Sequence, residues 1–270
     1  MKILFCGDVM GKAGRRAILE NIPEVRRRLD LDFVVVNGEN AAHGFGITPA
    51  ICKDFFDAGV DVITTGNHVW DRKEILDYID GEPRLLRPLN YPQGTPGRGS
   101  HLYDAPGGRR VLVIHPMGKL FMPPLDDPFA GTQAALANHR LGETADCILV
   151  DIHAEANSEK MAMGQWLDGR VSLVVGSHCH IPTADTQILP GGTAYHTDAG
   201  MCGDYDSVIG MNKEASVARF LTPDQRTRLE PAEGEGTLCG VYAEIDDGSG
   251  LAVRAAPLRI GGRLAGQWPV

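Results

Sequence analysis

The sequence predicts an α/β fold, because short strands of buried character alternate with segments long enough for helices. Five apolar runs rich in Val and Ile have this character, and such runs are typical of parallel strands covered on both faces. Each run is followed within a few residues by a side chain that can bind a metal ion. The predicted strands are Lys2–Cys6, Phe33–Val36, Val60–Thr65, Cys147–Ile152 and Val171–Val175.

Helix signals fill the segments between these strands. Gly14–Leu29 has apolar residues at helical spacing. Thr48 followed by Pro49 is typical of a helix start, since Thr caps free backbone N–H groups and Pro fits the first turn. This helix is expected to run to about Ala58 and to stop there. Two further helices are predicted, at Arg72–Ile79 and Ser158–Trp166.

The other strands predicted from the sequence form a hairpin and a second sheet. Ser100–Tyr103 and Arg110–His115 flank a Pro-Gly-Gly turn and are expected to form the hairpin. Three strands near the end of the chain are expected to form a sheet that packs on the first one. This gives a four-layer α/β/β/α sandwich. The three strands are Thr193–His196, Thr237–Ile245 and Leu251–Leu258.

The length of the chain predicts a single domain that covers residues 1–270. The segment Pro83–Gly99 is interpreted as a loop within the fold, and Gly118–Phe129 as a mobile surface loop. No apolar stretch reaches the roughly 18 residues of a membrane span, and an apolar strand at the start argues against a signal peptide. The protein is therefore expected in the cytoplasm without a membrane partner, and a homo-oligomer is expected because small α/β enzymes often form one.

The net charge limits the partners that the protein can bind, and the cysteine spacing indicates whether the thiols are free. The net charge of −9 argues against binding long nucleic acid through a basic surface. A small phosphoester is compatible with this charge, because bound metal ions can dominate the local potential. The six cysteines form no CxxC pair, so free thiols are expected rather than a disulfide framework. Cys179, which lies between two candidate ligands, is expected to face away from them.

Residues able to bind metal follow the predicted strands. In open α/β sheets, ligands bind beyond the carboxyl ends of the strands, so these side chains are expected to meet at one edge. The inventory of carboxylates, amides and imidazoles fits a metal site better than an organic cofactor. The candidates are Asp8, Glu39, Asn40, Asn67, His68, His153, His178 and His180.

Several of these motifs have a simpler interpretation when each is taken alone. Asp8 equally suits a cap for the next helix, and the segment Asn37–Asn40 has the composition of a turn. An isolated His153 is more often structural than a ligand. His178 and His180 change this balance, because alternate residues of an extended segment project to the same side.

The types of donor atom indicate the metals. Nitrogen and oxygen donors without thiolate suit Mn, Fe, Co or Zn rather than a zinc–cysteine centre. Seven donor residues are too many for one tetrahedral ion and suit two ions with open water positions. Two ions about 3.5–4 Å apart can clamp the oxygens of a phosphoryl displacement. The predicted ligands are Asp8, Glu39, Asn40, Asn67, His153, His178 and His180.

The order of these motifs resembles that of the calcineurin-like metallophosphoesterases. Three longer segments resemble the bacterial YmdB-like branch of that superfamily, and the similarity extends over nearly the whole chain. The resemblance implies a di-metal phosphodiesterase, with 2′,3′-cyclic nucleotides as a substrate class and iron or manganese as metals. The three segments are Gly7–Gly11, Asn37–Gly44 and Thr197–Met201.

The resemblance also implies a role for each candidate residue. Asp8, Glu39, Asn40 and His180 would hold the first metal, and Glu39, Asn67, His153 and His178 the second. Glu39 would bridge the two ions, and His68 would be the imidazole beside the phosphate. Met10 and Glu39 stand where the wider superfamily has a His and an Asp. Met10 is expected to pack rather than bind, because a thioether is a poor ligand for a hard ion.

These features predict phosphoester hydrolysis by a metal-bridging hydroxide, with His68 as the residue that stabilises charge or protonates the leaving group. Three alternatives stay open at this point. They are a phosphomonoesterase, a metal-containing regulatory protein that binds a phosphorylated ligand with little turnover, and a metal-dependent amide hydrolase. The last of these fits the motifs least well.

Other polar residues near the motifs have weaker assignments. His43, in a turn flanked by Gly, is either a residue that contacts substrate or orients a ligand, or a plain loop residue. Lys12, Arg15 and Arg16 are interpreted as a solvated helix start. The sequence assigns no chemical role to the segment 197–212, and His115 is expected to be structural.

Overall fold

The computed structural model of the protein describes residues 1–123, 125–222 and 228–269. The described strands are β1 (Lys2–Cys6), β2 (Phe33–Asn37), β3 (Val62–Thr64), β4 (Ser100–Ala105), β5 (Arg109–Ile114), β6 (Cys147–His153), β7 (Leu173–Ser177), β8 (Gln187–Ile188), β9 (Ala194–His196), β10 (Leu238–Ile245) and β11 (Ala252–Ile260). The described α-helices are α1 (Gly11–Leu29), α2 (Pro49–Asp57), α3 (Glu74–Tyr78), α4 (Pro128–Leu136), α5 (Asn157–Leu167) and α6 (Lys213–Leu221).

The first sheet has the strand order β11-β10-β1-β2-β3. Its strands β1, β2 and β3 are parallel to one another. The hairpin of β10 and β11 joins the other side of β1 in antiparallel pairing. The carboxyl ends of the three parallel strands therefore lie side by side, and the loops that carry Asp8, Glu39 and Asn67 leave the sheet there.

The second sheet has the strand order β4-β5-β6-β7-β9-β8. Its four central strands, β5, β6, β7 and β9, are parallel, and the edge strands β4 and β8 pair antiparallel to them. The neighbours β6 and β7 end at His153 and Ser177. They place His153 and the segment that follows Ser177 next to each other.

Alternate residues of the strands face different apolar layers. In β1, Leu4 packs with the helices on one side of the first sheet, whereas Phe5 packs between the two sheets. In β6, Leu149 faces the layer between the sheets, and Ile148 packs with Met163 of α5 on the outer side. Helices thus cover the outer face of each sheet. This order of layers confirms the predicted α/β/β/α sandwich.

The predicted grouping of strands into sheets is wrong. The strands near the end of the chain do not form a sheet of their own, because β10 and β11 join β1 and β9 joins β7. The hairpin of β4 and β5 is present as predicted, and it opens the second sheet. The apolar pattern of a strand shows that it is buried, but it does not show which strand it pairs with.

Some helix ends agree with the sequence and others do not. Thr48 caps α2 as predicted by accepting the N–H of Ile51. The helix α1 begins at Gly11, three residues earlier than predicted. This start carries no signal in the sequence, because the residue at the cap position, Met10, makes no side-chain hydrogen bond to the first turn. Strand β3 is shorter than predicted, beginning two residues later and ending one residue earlier, and strand β7 is displaced by two residues toward the C-terminus.

Two helices that were not predicted, α4 and α6, have clear cap residues. Asp127 accepts the N–H groups of Phe129 and Ala130 at the start of α4, so the predicted surface loop Gly118–Phe129 runs into a helix. Pro124, within that loop, lies outside the described residues, and the mobility of the loop stays a prediction. Asn212 caps α6 by accepting the N–H of Ala215.

All six cysteines are free thiols, as expected, and each lies within the described ranges. None of the helices in those ranges combines the length and the apolar character that crossing a bilayer would require.

Candidate metal centre

A cavity of about 310 Å³ opens where strand ends from the two sheets meet. The motif-bearing segments follow β1, β2 and β3 of one sheet and β6 and β7 of the other. They therefore meet at the junction of two sheets, not on the edge of a single sheet as predicted. The polar lining of the cavity includes Glu39, Asn40, His68, His178 and His180.

The loop after β2 presents Glu39 and Asn40 because Asn37 anchors it from inside. The Asn37 side chain accepts the N–H of Glu39 at 3.0 Å and donates to the carbonyl of Thr65 at 2.7 Å. The segment is a turn, as its composition indicates. The turn directs both side chains to the cavity, where Glu39 is 1% exposed and Asn40 is 5% exposed.

Two arginines hold the outer side of this loop. Arg15 of α1 donates to the carbonyl of Ala41, and Arg72 donates to the carbonyls of Phe45 and Ala42. Burial lowers the pKa of the half-buried Arg15 guanidinium. The interpretation of Arg15 as part of a solvated helix start is therefore wrong, because its partners are backbone carbonyls that are distant in sequence.

Asp8 is fully buried at the end of β1. One of its oxygens, Oδ2, accepts the N–H of His178 at 3.0 Å. The other oxygen, Oδ1, is buried without a hydrogen-bond partner among the described residues. The alternative that Asp8 caps α1 is wrong, since the cap position is Met10. Burial raises the pKa of Asp8 to about 6.

The loop after β3 passes very close to Glu39 and His153. A Cβ atom at Gly66 would lie 2.0 Å from Glu39 Oε2 and 2.3 Å from His153 Nε2. Glycine is required at this position because the backbone itself forms part of the wall of the site. The next residue, Asn67, places its Oδ1 atom 3.2 Å from His153 Nε2.

A buried chain of hydrogen bonds fixes the protonation of His153. The Ser177 hydroxyl donates to Asp151 Oδ1 at 2.6 Å, so its oxygen accepts from His153 Nδ1 at 2.9 Å. His115 lies 3.1 Å from the other Asp151 oxygen. Burial alone would raise the pKa of Asp151, but the His115 charge and these hydrogen bonds hold it below its usual range. His153 therefore carries its proton on Nδ1 and turns an unprotonated Nε2 to the site.

The segment His178–His180 is not extended, so the geometry predicted for it is wrong. His178 has φ 96° and His180 has φ 66°, both in the left-handed region. The turn nevertheless brings both imidazoles to the cavity. Cys179 also lines the cavity, contrary to expectation, although its sulfur lies 3.3 Å from the buried Lys160 Nζ.

Each of the two imidazoles has one ring nitrogen held from outside. His180 Nδ1 lies 2.8 Å from the carbonyl of Ile209, so it is the protonated nitrogen and Nε2 faces Asn40 Oδ1 at 3.2 Å. His178 Nε2 lies 3.1 Å from Glu155 Oε2, and its Nδ1 lies 3.2 Å from His153 Nε2. Neither Ile209 nor Glu155 carries a local signal that would mark it as a support for an imidazole.

The inward atoms of these residues are hydrogen-bond acceptors that face one another. Glu39 Oε2 lies 2.5 Å from His153 Nε2 and has no donor among the described residues. Glu39, His153 and His178 bring their ligand atoms within 4.8 Å of one another. Burial lowers the pKa of His153 and of His178 to about 3, so both rings are neutral. A cation satisfies such a set of lone pairs, so the residues present fit a metal ion.

His68 borders the cluster without joining it. Its Nδ1 lies 2.8 Å from Asp71 Oδ2, and its Nε2 lies 4.0 Å from Glu39 Oε1. Its ring packs edge-on to Phe45 with centroids 5.0 Å apart. Asp71, which the sequence analysis did not select, therefore orients the imidazole so that Nε2 stays on the side of Glu39.

Of the other residues considered in the sequence, Met10 lines the cavity and His43 lies outside it. Met10 is 2% exposed and packs with Met201 and Met211, which agrees with its expected role in packing. His43, within the described part of the chain, lines a neighbouring cavity with Arg15. It is not placed beside the cluster, so the structure favours the loop interpretation.

The sequence matches the model of a known protein family over most of its length. A family model described as "YmdB-like protein" matches residues 4–258. The chain belongs to the YmdB-like family.

Relatives of this YmdB-like chain include named enzymes. A Bacillus subtilis protein called 2′,3′-cyclic-nucleotide 2′-phosphodiesterase is 47% identical over 254 residues, which cover 94% of this chain and 95% of the relative. The crystal structure of a phosphatase from Mycoplasma pneumoniae has a TM-score of 0.90 at 34% identity and covers 97% of this chain and 93% of that one. A hypothetical protein from Thermus thermophilus has a TM-score of 0.90 at 42% identity and covers 97% and 100%.

The comparisons confirm the family and the fold class predicted from the sequence, and with them a phosphoester hydrolase. The YmdB-like family implies metal ions, and the cluster of Glu39, His153 and His178 is a site that can hold one. The number and identity of the ions and the roles of the individual residues stay predictions.

Proposed function

We propose that the protein is a two-metal phosphodiesterase that hydrolyses 2′,3′-cyclic nucleotides or similar small phosphodiesters. The observation that carries this proposal is the convergence of unprotonated imidazole nitrogens on the buried Glu39 carboxylate, whose Oε2 has no hydrogen-bond donor among the described residues. The name of the Bacillus subtilis relative, which matches this chain over nearly its full length, supports the substrate class.

Seven side chains are proposed to hold the metals. Iron is the first expectation and manganese the second, because the family resemblance implies these metals, and nitrogen and oxygen donors also allow zinc or cobalt. When bound, two such cations lower the pKa of water and neutralise charge on the phosphate. The first ion would be held by Asp8, Glu39, Asn40 and His180, and the second by Glu39, Asn67, His153 and His178.

The other residues of the cavity have roles that follow from their positions. His68 is oriented through Nδ1 by Asp71, and in its cationic form it also carries a proton on Nε2 that can pass to the leaving alkoxide oxygen. Met10, Phe45 and Ile209 form the apolar part of the lining. This surface suits the ribose and base of a small nucleotide, whose phosphate would lie over the cluster.

The test combines metal analysis with a substrate panel. Protein loaded with iron or manganese is expected to hold two ions per chain and to hydrolyse 2′,3′-cyclic nucleotides faster than aryl phosphate monoesters. Glu39→Ala is expected to lose both ions and all turnover, because one carboxylate serves both sites. Glu143→Ala removes an exposed carboxylate and serves as the control that keeps metal and activity.

The same experiment can contradict the two-metal centre and can distinguish two of the alternatives. At most one ion per chain would contradict the two-metal centre. Faster hydrolysis of the monoesters would favour a phosphomonoesterase. Tight nucleotide binding without turnover in any metal would favour a regulatory protein that binds a phosphorylated ligand.

A further inference from the structure

The three imidazoles proposed to bind metal are each held by a group on the side away from the metal site, and one of these groups differs from the other two. His153 is held by the buried hydroxyl of Ser177, and His180 by the backbone carbonyl of Ile209. His178 is held by Glu155, whose side chain is 45% exposed. The outer support of His178 is therefore a partly exposed carboxylate in the lining of the cavity, whereas the other two supports are a buried hydroxyl and a backbone carbonyl.

We infer that Glu155 is a positioning residue that fixes the ring of His178 and the nitrogen on which it carries its proton. With the carboxylate 3.1 Å from Nε2, the hydrogen belongs on Nε2 and Nδ1 stays free toward His153. Without the carboxylate, water can accept or donate at Nε2, and both neutral tautomers become accessible. The tautomer protonated on Nδ1 would point a hydrogen into the cluster of acceptors.

The backbone of Glu155 is tied to the same turn as its side chain. Its carbonyl lies 3.4 Å from Cys179 Sγ, and the carbonyl of Ala154 lies 3.6 Å from the same sulfur. The short connection between β6 and α5 thus packs directly on the His178–His180 turn. Because the backbone of Glu155 is already fixed, only the rotamer freedom of its side chain is lost when it pairs with His178.

The conformation of His178 explains why such a support is needed. A non-Gly residue at φ 96° is strained, and the side chain of His178 is 23% exposed. Substitution of the outer partner of a metal-binding His typically costs ~10–100-fold in metal affinity. A partly exposed hydrogen bond such as that between the neutral His178 ring and Glu155 contributes little to folding, so the expected effect lies in metal binding and not in stability.

This inference rests on the proposed function, so its test has a readout that needs no metal. The ¹⁵N chemical shifts of the His178 ring in metal-free protein report which nitrogen is protonated. The variants are Glu155→Ala, Glu155→Gln and, as a matched control, Glu159→Ala. Glu159 lies in the first turn of α5, just after this connection, but it accepts the N–H of Lys119 at 2.8 Å and not a His178 nitrogen.

The expected results separate positioning from a general loss of structure. Glu155→Ala should shift His178 toward a mixture of tautomers and lower affinity at the second site by about 10–100-fold. Glu155→Gln, which keeps an acceptor oxygen, should restore the Nε2–H form and most of the affinity. Glu159→Ala should leave the His178 ring unchanged.

Two results would overturn the inference. One is an Nε2–H ring in metal-free Glu155→Ala with metal affinity equal to that of the unchanged protein. The other is an equal change in the His178 ring in Glu159→Ala. If the unchanged protein holds no metal, the proposed function fails, and the ring shifts still decide the role of Glu155.

Discussion

At the scale of single residues, Gly66 is a position where any added side chain would disturb the metal-binding cluster. An added Cβ would lie 2.0 Å from Glu39 Oε2 and 2.3 Å from His153 Nε2, so Gly66→Ala must displace one of these groups. We expect this variant to fold and to lose metal binding, as measured by titration calorimetry. Gly248→Ala, in an exposed turn where the nearest atom would be 3.4 Å away, is the control. Retained affinity in Gly66→Ala would contradict the description of the cluster.

His68 tests chemistry separately from metal binding. The side chain faces Glu39 from outside the acceptor cluster, so His68→Ala should keep both metals. Turnover should fall by about 10²–10⁴-fold, because this is the typical contribution of a positioned proton donor. The measurement is kcat at saturating metal together with metal content. Unchanged turnover at full metal occupancy would remove His68 from the mechanism.

Much of the candidate site could be predicted from residue types, but its supporting groups could not. Side chains that bind metals stand out when they follow apolar strands, as Asp8 and His153 do. Ser177 and the Ile209 carbonyl carry no such signal, because hydroxyls and backbone carbonyls occur everywhere. Asp151 is the exception, since a charged residue within the apolar run of β6 is unusual and required a buried partner.

At the scale of secondary-structure elements, a buried ion pair joins α5 to the turn that carries His178 and His180. Lys160 is completely buried and lies 2.7 Å from Asp198 Oδ2, which also accepts the N–H of Cys179 at 3.0 Å. Asp198 Oδ1 accepts the N–H of Gly200 at 2.9 Å. This pair gives the segment 197–212, whose role the sequence left open, a structural function.

Removing one charge of this pair should lower the free energy of unfolding more than removing both charges does. Lys160→Met leaves a buried carboxylate unpaired and should lower the free energy of unfolding by about 3–5 kcal/mol. The double variant Lys160→Met with Asp198→Asn leaves no charge and should be the more stable of the two. Urea denaturation of both variants measures the difference. If Lys160→Met were as stable as the unchanged protein, an unpaired Asp198 carboxylate would not be costly at this position, and the prediction would be wrong.

The elements themselves were easier to predict than their pairing. Apolar strands and capped helices such as α2 leave local signals in the sequence. The position of the β10–β11 hairpin beside β1 has no local signal, because it depends on which sheet edge is free when the layers pack. The left-handed turn at His178–His180 was missed for a related reason, since its strain is offset by contacts with Asp198 and Glu155 that are distant in sequence.

At the scale of the whole molecule, the metals should contribute to stability as well as to activity. The ligand atoms come from both sheets, so the complete site exists only in the folded chain. A ligand that binds only the folded state at 100 times its Kd adds about 2.7 kcal/mol. We expect a chelator to lower the Tm of the protein in scanning calorimetry but to leave the Tm of Glu39→Ala unchanged. An equal fall in both proteins would show that the chelator acts elsewhere.

The single domain, the cytoplasmic location and the homo-oligomer stay predictions at this scale. The apolar layer shared by the two sheets, which includes Phe5 and Leu149, is the feature that favours a single domain. Sedimentation analysis of the purified chain would determine the number of subunits.

The place of β1 within its sheet has a consequence for synthesis on the ribosome. Its first neighbour, β2, emerges soon after it, but its second neighbour, β10, begins only at Leu238. Until then one side of β1 offers unpaired backbone groups, which are a template for pairing with other chains. Nascent chains stalled before Leu238 should therefore depend on a chaperone more strongly than the full-length chain does.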